Sequence, residues 1–153
     1  MLDAPTPTAS FTAEPRIEYR QFMICGKAGE VVLAGSRHED GHIIKMGDFG
    51  LILHTGGNDF YPTVRVEAWP VEPPVQTAKW DVAEEIDISL PSGTVMVREW
   101  DGGHASEPLR VGTPGSYRLR AHSCGRNEAA ARVGHDLYYH GAEEWLIQLW
   151  PAA

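Results

Sequence analysis

Cysteine, basic residues and long apolar runs are all scarce in this chain, and each shortage removes a class of function. Only two cysteines occur in 153 residues, Cys25 and Cys124, with no C-x-x-C, so neither a zinc ribbon nor a thioredoxin-type redox site is supported. In a reducing compartment they read as two thiols packed as small hydrophobes, and the sequence does not decide whether they pair. Thirteen Lys and Arg face twenty-one Asp and Glu, a net charge of −8. A phosphate backbone needs a basic surface, so nonspecific nucleic-acid binding is not expected. No apolar run approaches the roughly 20 residues that cross a bilayer. The start, "MLDAPTPTASFTAEP", carries an acid where a signal peptide has basic residues and lacks an apolar stretch. Residues 1–15 read as a disordered lead-in, with no membrane association and a cytoplasmic location expected.

Helical periodicity is scarce too. Its one candidate is "RNEAAARVG" (126–134), with Asn127 as N-cap and Gly134 just past the end. The dominant period is two, in "RIEYRQFMIC" (16–25), "TVRVEAW" (63–69), "IDISL" (86–90), "TVMVREW" (94–100), "SYRLRAHS" (116–123) and "EWLIQLW" (144–150). "EVVLAG" (30–35) and "GLILHT" (50–55) are more continuously apolar, as strands buried on both faces are. Turn signals such as "HTGGND", "EPPV", "LPSG" and "GTPGS" separate these runs, and Pro91-Ser92-Gly93 reads as a tight hairpin. The expected fold is all-β: a single-domain antiparallel β-sandwich of about eight strands over residues 16–151, with at most one short helix. The last run is apolar on both faces, which places it inside a sheet, and Pro151 ends its pairing.

"RHEDGH" contains His38-Glu39-Asp40-Gly41-His42, a match to the zinc-protease pattern H-E-x-x-H. That pattern works only on a helix, where i, i+4 spacing aims both imidazoles at one metal. Asp-Gly is a turn dipeptide, the flanking runs read as strands, and no third ligand follows, so protease chemistry is set aside. The remaining histidines, His54, His104, His122, His135 and His140, are scattered. No catalytic residue, metal ligand or cofactor is assigned, and the chain is read as a non-enzyme.

Charge is unevenly spread. From 81 to 107 the acids Asp81, Glu84, Glu85, Asp87, Glu99, Asp101 and Glu107 face Arg98 alone; from 110 to 132 five arginines face Glu128. Two complementary solvated faces would explain this, and so would an acidic face that steers a basic protein partner. The 125–142 segment is long for a connection between strands, and its His135, Asp136, Tyr138 and Tyr139 are of the kind that anchor interfaces. Partner contact is therefore expected from Glu84, Glu85, Asp87, Asp101, His135, Asp136, Tyr138 and Tyr139.

Four segments in order, "IEYRQFMICG", "WDVAEEIDISLPSGTVMV", "LRVGTPGSYRLRAHSCGR" and "EEWLIQLWPA", resemble the competence protein J-like family of small bacterial β-sandwich proteins. Tyr19-x-Gln21-Phe22, Pro114-Gly115-x-Tyr117-Arg118 and Leu146-x-Gln148-Leu149-Trp150-Pro151 carry the resemblance across residues 16–151. It implies a sandwich fold and a role as nuclease inhibitor or immunity-type factor, with a basic nuclease or toxin as partner. It brings no catalytic motif. Two alternatives stay open: a metal- or small-ligand-binding protein using its histidines, and a self-assembling sandwich, for which a homodimer is the simplest form.

Overall fold

The computed structural model describes residues 4–27, 33–34, 42–47 and 50–152. Two sheets face each other. One holds six strands: β1 (Ala9–Ala13), β6 (Tyr61–Ala68), β11 (His140–Pro151), β10 (Gly115–Cys124), β7 (Val82–Leu90) and β3 (Leu33–Ala34), in that spatial order. The other holds β4 (Ile44–Gly47), β5 (Gly50–His54), β2 (Gln21–Cys25), β8 (Thr94–Glu99) and β9 (Leu109–Arg110). The short helix α1 (Arg126–Ala131) links β10 to β11.

Period-two patterning does what it predicts. Val64 and Val66, Ile86 and Ile88, Leu119 and Ala121, and Trp145, Ile147 and Leu149 point inward from the six-stranded sheet. They meet Phe22, Ile24, Leu51, Leu53, Val95 and Val97 from the other sheet. Phe22 and Trp145 cross the interface edge to face, 5.2 Å between centroids. β11 lies inside its sheet, as its two apolar faces require, paired with β10 in register from Tyr117↔Pro151 to Cys124↔Glu144.

Several sequence expectations need correction. Among the described residues the strands number eleven rather than about eight: β1 and β9 carry too few large apolar side chains to stand out, and β4 is a separate strand just ahead of β5. β1 falls within the stretch read as a disordered lead-in; it pairs with β6 from Ala9↔Ala68 to Ala13↔Val64, satisfying the open edge of that strand. The run 16–25 is not one strand. Tyr19 and Arg20 adopt left-handed backbone (φ 57° and 55°), and this turn carries the chain from β1 in one sheet to β2 in the other. Pro91-Ser92-Gly93 does form a tight turn, closed by Gly93 N–H on the Leu90 carbonyl at 3.1 Å. However, β7 and β8 belong to different sheets, so the turn is a step between layers and not a hairpin. β11 pairs with β6 in parallel, so the sandwich is not purely antiparallel. The helix is capped by Gly125 in left-handed conformation (φ 74°), not by Asn127, and ends at Ala131 before Gly134. Of the H-E-x-x-H match only His42 lies within the described residues; His38 to Gly41 lie outside them.

The segment between β6 and β7 crosses the outer face of the six-stranded sheet. Its Glu72 and Pro73 bind the buried Arg120, whose guanidinium also lies 4.8 Å from the Trp150 ring centroid. That cover explains why Leu146, Gln148 and Trp150, on the outward side of β11, are buried as well.

Candidate partner-binding surface

The predicted contact residues fall into two groups. Glu84, Glu85 and Asp87 lie on β7, where alternation sends Glu85 and Asp87 outward and Glu84 the other way. Outward, they meet the arginines of the neighbouring strand: Arg118 binds Asp87 at 2.6 Å and Glu85 at 2.7 Å, and Arg120 binds Glu85 at 2.7 Å. Burial works against the charge on Glu85, but the Arg118 and Arg120 bonds outweigh it and hold the carboxyl below its usual range. The acidic and basic blocks of the sequence are thus complementary faces of adjacent strands, and this part of the acidic face is largely neutralised within the fold.

Glu84 has a different task. Its carboxylate accepts the backbone N–H groups of His42 (2.7 Å), Ile43 (3.1 Å) and Ile44 (3.1 Å). It therefore ties β7 of one sheet to the start of β4 in the other. Glu84→Ala strands these donors and is expected to lower stability by about 1–3 kcal/mol in thermal unfolding, with Glu84→Gln in between. Equal stability of all three proteins would show that the carboxylate is not needed there.

The second group sits at the end of the sandwich where β6 and β11 begin and β8 finishes. Asp101 follows β8; it accepts the Gly103 N–H at 2.9 Å and faces Arg16 at 3.9 Å. His135 and Asp136 are exposed on the turn after α1, and Asp136 lies 4.0 Å from Arg132. Tyr138 is exposed, its backbone left-handed (φ 54°) and its N–H bonded to the Asp59 carbonyl at 2.7 Å. Tyr139 turns inward instead, packing on Phe60 at 5.3 Å with Arg132 4.6 Å from its ring. Burial raises the pKa of its phenol. So Asp101, His135, Asp136 and Tyr138 come together at one end as exposed groups, while Tyr139 caps the core beneath them.

Two features of this end were not singled out from sequence. The first is Glu143, fully buried at an irregularity in the β6–β11 register. One carboxylate oxygen accepts the N–H groups of Gly56 (2.9 Å) and Gly57 (3.1 Å); the other accepts Trp145 Nε1–H at 2.7 Å and faces Arg126 at 3.6 Å. Burial raises its pKa, against the opposing pull of these partners. The glycine pair is needed because α1 packs against it: a Cβ on Gly56 would meet the Arg126 carbonyl at 2.6 Å, and one on Gly57 the Ala129 Cβ at 2.8 Å. The glycines of "HTGGND" thus cradle an anion, but that anion is the protein's own carboxylate.

The second feature is Tyr19 and Trp100, an exposed ring pair with centroids 4.6 Å apart, its indole N–H bonded to Glu18 at 2.6 Å. The sequence signal was Tyr19 itself, placed in an alternating strand when it stands on a turn. Left-handed Tyr19, Arg20, Asp59 and Tyr138 each strain the backbone by about 1–2 kcal/mol. They are held by a short chain of bonds: Arg20 N–H to Asn58 Oδ1 (3.0 Å), Asp59 N–H to the Ile17 carbonyl (2.9 Å), and Tyr138 N–H to the Asp59 carbonyl.

Elsewhere among the described residues, Cys124 and His122 are committed to the fold. Cys124 is pushed up to about 11 by burial and by Glu144, so its thiol stays protonated near neutral pH. His122 is buried, with Nδ1 3.0 Å from the Leu146 carbonyl, and burial lowers its pKa. No group of three or more His, Cys, Asp or Glu among the described residues is placed to hold a metal ion. No helix among them is long and apolar enough to cross a membrane.

These features define a two-sheet β-sandwich whose distinctive surface lies at one end. No protein-family model matches the chain, and no curated protein sequence does. Solved structures share the architecture. ComJ from Bacillus subtilis, an inhibitor of the DNA-degrading activity of NucA, superposes with a TM-score of 0.57 at 8% identity, covering 98% of this chain and 100% of ComJ. The product of crocagin biosynthetic gene J superposes with a TM-score of 0.57 at 19% identity, covering 95% of this chain and all of the other. At these identities the likeness shows the fold, and it bears out the competence protein J-like architecture read from the sequence.

Proposed function

We propose that this protein is a non-catalytic binding module that attaches to a nuclease or toxin and blocks it. The observation that carries this reading is the end-to-end likeness to ComJ, a nuclease inhibitor, which spans 98% of this chain and all of ComJ. The commitment of Glu143, Cys124 and His122 to internal contacts supports a role in binding over one in catalysis. The net charge of −8 favours a basic partner, because it speeds encounter with a nucleic-acid-binding surface and competes with the nucleic acid for it. Asp101, His135, Asp136 and Tyr138 are the contact residues this reading favours. Glu84, Glu85 and Asp87 contribute to the long-range field more than to direct contact.

The test is capture from the native host with tagged protein at low and high salt, followed by assay of the retained proteins for DNA or RNA degradation. A retained nuclease that is inactive in the complex and active once released is the expected result. Recovery of only further copies of this chain would favour self-assembly instead.

A further inference from the structure

Backbone strain and exposed rings converge on one corner. Among the described residues, five non-glycine positions have left-handed backbone; three of them, Arg20, Asp59 and Tyr138, lie on the hydrogen-bonded path described above, and a fourth, Tyr19, directly precedes Arg20. The same corner carries Tyr19 (70% exposed), Trp100 (37%), Leu137 (63%) and Tyr138 (50%), four of the seven exposed large apolar side chains among those residues. Strained backbone persists where surrounding structure holds it in place, and exposed aromatics are the side chains that dominate binding energy at interfaces. Here the two coincide on a rigid base: Ile17, Phe22 and Phe60 beneath are fully buried.

The charges around the rings indicate what they would meet. In this stretch four carboxylates, Glu18, Asp59, Glu99 and Asp101, outnumber three arginines, Arg16, Arg20 and Arg98, by one charge, and Glu99 accepts the Arg16 backbone N–H at 2.6 Å. Arg98 is turned back onto the Gly102 carbonyl at 2.9 Å, and Arg16 is shared between Glu18 (3.3 Å) and Asp101 (3.9 Å). Glu18 also accepts the Trp100 indole N–H, which keeps a carboxylate beside an exposed ring. Planar rings edged by anions are the chemistry that single-stranded nucleic acid offers to its binding proteins, which answer with arginine planes and basic grooves.

We infer that this corner is a docking site for an arginine-bearing protein surface, its rings standing where bases would stack and its carboxylates where phosphates would lie. The inference rests on the inhibitor reading above, because the nucleic-acid groove of a nuclease is such a surface. It places contact on Tyr19 and Trp100, outside the acidic strand β7.

A blocked hexa-arginine peptide, titrated at low salt and followed by amide and indole chemical shifts, is the direct probe. Shifts are expected at Glu18–Arg20, Asp59, Trp100 and Asp101, with weaker binding of hexa-lysine, whose ammonium groups do not stack. Two variants preserve the local structure. Tyr19→Asn keeps a residue that tolerates the left-handed backbone, and Trp100→Gln keeps an N–H for Glu18. Together they should weaken peptide binding about tenfold or more, the scale of two lost cation–π contacts. Shifts centred on Glu85 and Asp87, or unchanged affinity of the double variant, would overturn the inference. A captured nuclease supplies the second arm. If the double variant inhibits it undiminished, the corner is refuted and the inhibitor reading stands. If the corner holds the peptide but the host yields no nuclease, the corner's chemistry is supported and the inhibitor reading falls.

Discussion

Removal of residues 145–153 is expected to leave a chain that no longer folds. β11 lies between β6 and β10, so the deletion splits the six-stranded sheet and opens two strand edges at once. It takes Trp145, Ile147 and Leu149 out of the core, and Leu146 and Trp150 from beneath the crossing segment. At about 1.5–3 kcal/mol for each large apolar side chain, five such losses total roughly 10 kcal/mol. That equals the whole stability of an ordinary domain, about 5–15 kcal/mol. The truncated chain should be insoluble, or compact without fixed packing, with collapsed amide dispersion and no near-UV dichroism. A well-dispersed spectrum from it would contradict the central placement of β11.

Glu143→Ala is the single substitution expected to cost most among the polar sites. Four groups converge on this buried carboxylate: the N–H groups of Gly56 and Gly57, the Trp145 indole and the Arg126 guanidinium. Removing one side of a buried, hydrogen-bonded charge typically costs about 3–5 kcal/mol, because the other side is left uncompensated. Glu143→Gln, an isostere of the protonated carboxyl that burial favours, should recover part of the loss. Its amide keeps one acceptor for the glycines but turns an NH2 toward two donors, Trp145 and Arg126. The midpoint of urea unfolding should fall by about 2 M for a slope of about 2 kcal/mol/M. A loss under about 1 kcal/mol would show that the β5–β6 loop and α1 dock without this carboxylate. Burial holds the Glu143 carboxyl above its usual range, so its proton is bound more tightly in the folded chain. The stability linked to that proton is complete in acid, below the ordinary glutamate range, and is lost as pH rises through the folded value. The gap between the wild-type protein and Glu143→Gln should narrow accordingly as pH rises.

What was legible in the sequence follows from how local each signal is. β6, β7, β10 and β11 each bury one face in the core, so Val64 and Val66 or Ile86 and Ile88 show a clean period of two. β11 shows apolar residues on both faces because a crossing segment covers the second one, and this is why its interior position could be read. The opposed charges of Glu85 and Asp87 against Arg118 and Arg120 are local to adjacent strands, and the complementary-face reading of them holds. Strand direction is not local. The parallel β6–β11 pair depends on where distant connections carry the chain, and alternation is blind to it. The turn at Pro91–Gly93 has hairpin composition, but composition cannot say whether the chain returns within a sheet or changes sheets. Tyr19 and Arg20 lack the glycine or asparagine that marks a left-handed turn, so the aromatic corner stayed hidden inside an apparent strand. Glu143 stands beside Glu144 in the chain, and nothing in that pair marks it as buried. Its role emerges only when Gly56 and Gly57, far away in the chain, arrive with their N–H groups aimed at it.

The most direct test of the account is a DNA-degradation assay of the nuclease captured from the host, run against increasing amounts of this protein. Cleavage is expected to stop at about one inhibitor per nuclease at low salt. Raised salt is expected to weaken the block, as charge-steered association requires. Full nuclease activity in the presence of excess folded protein would contradict the account.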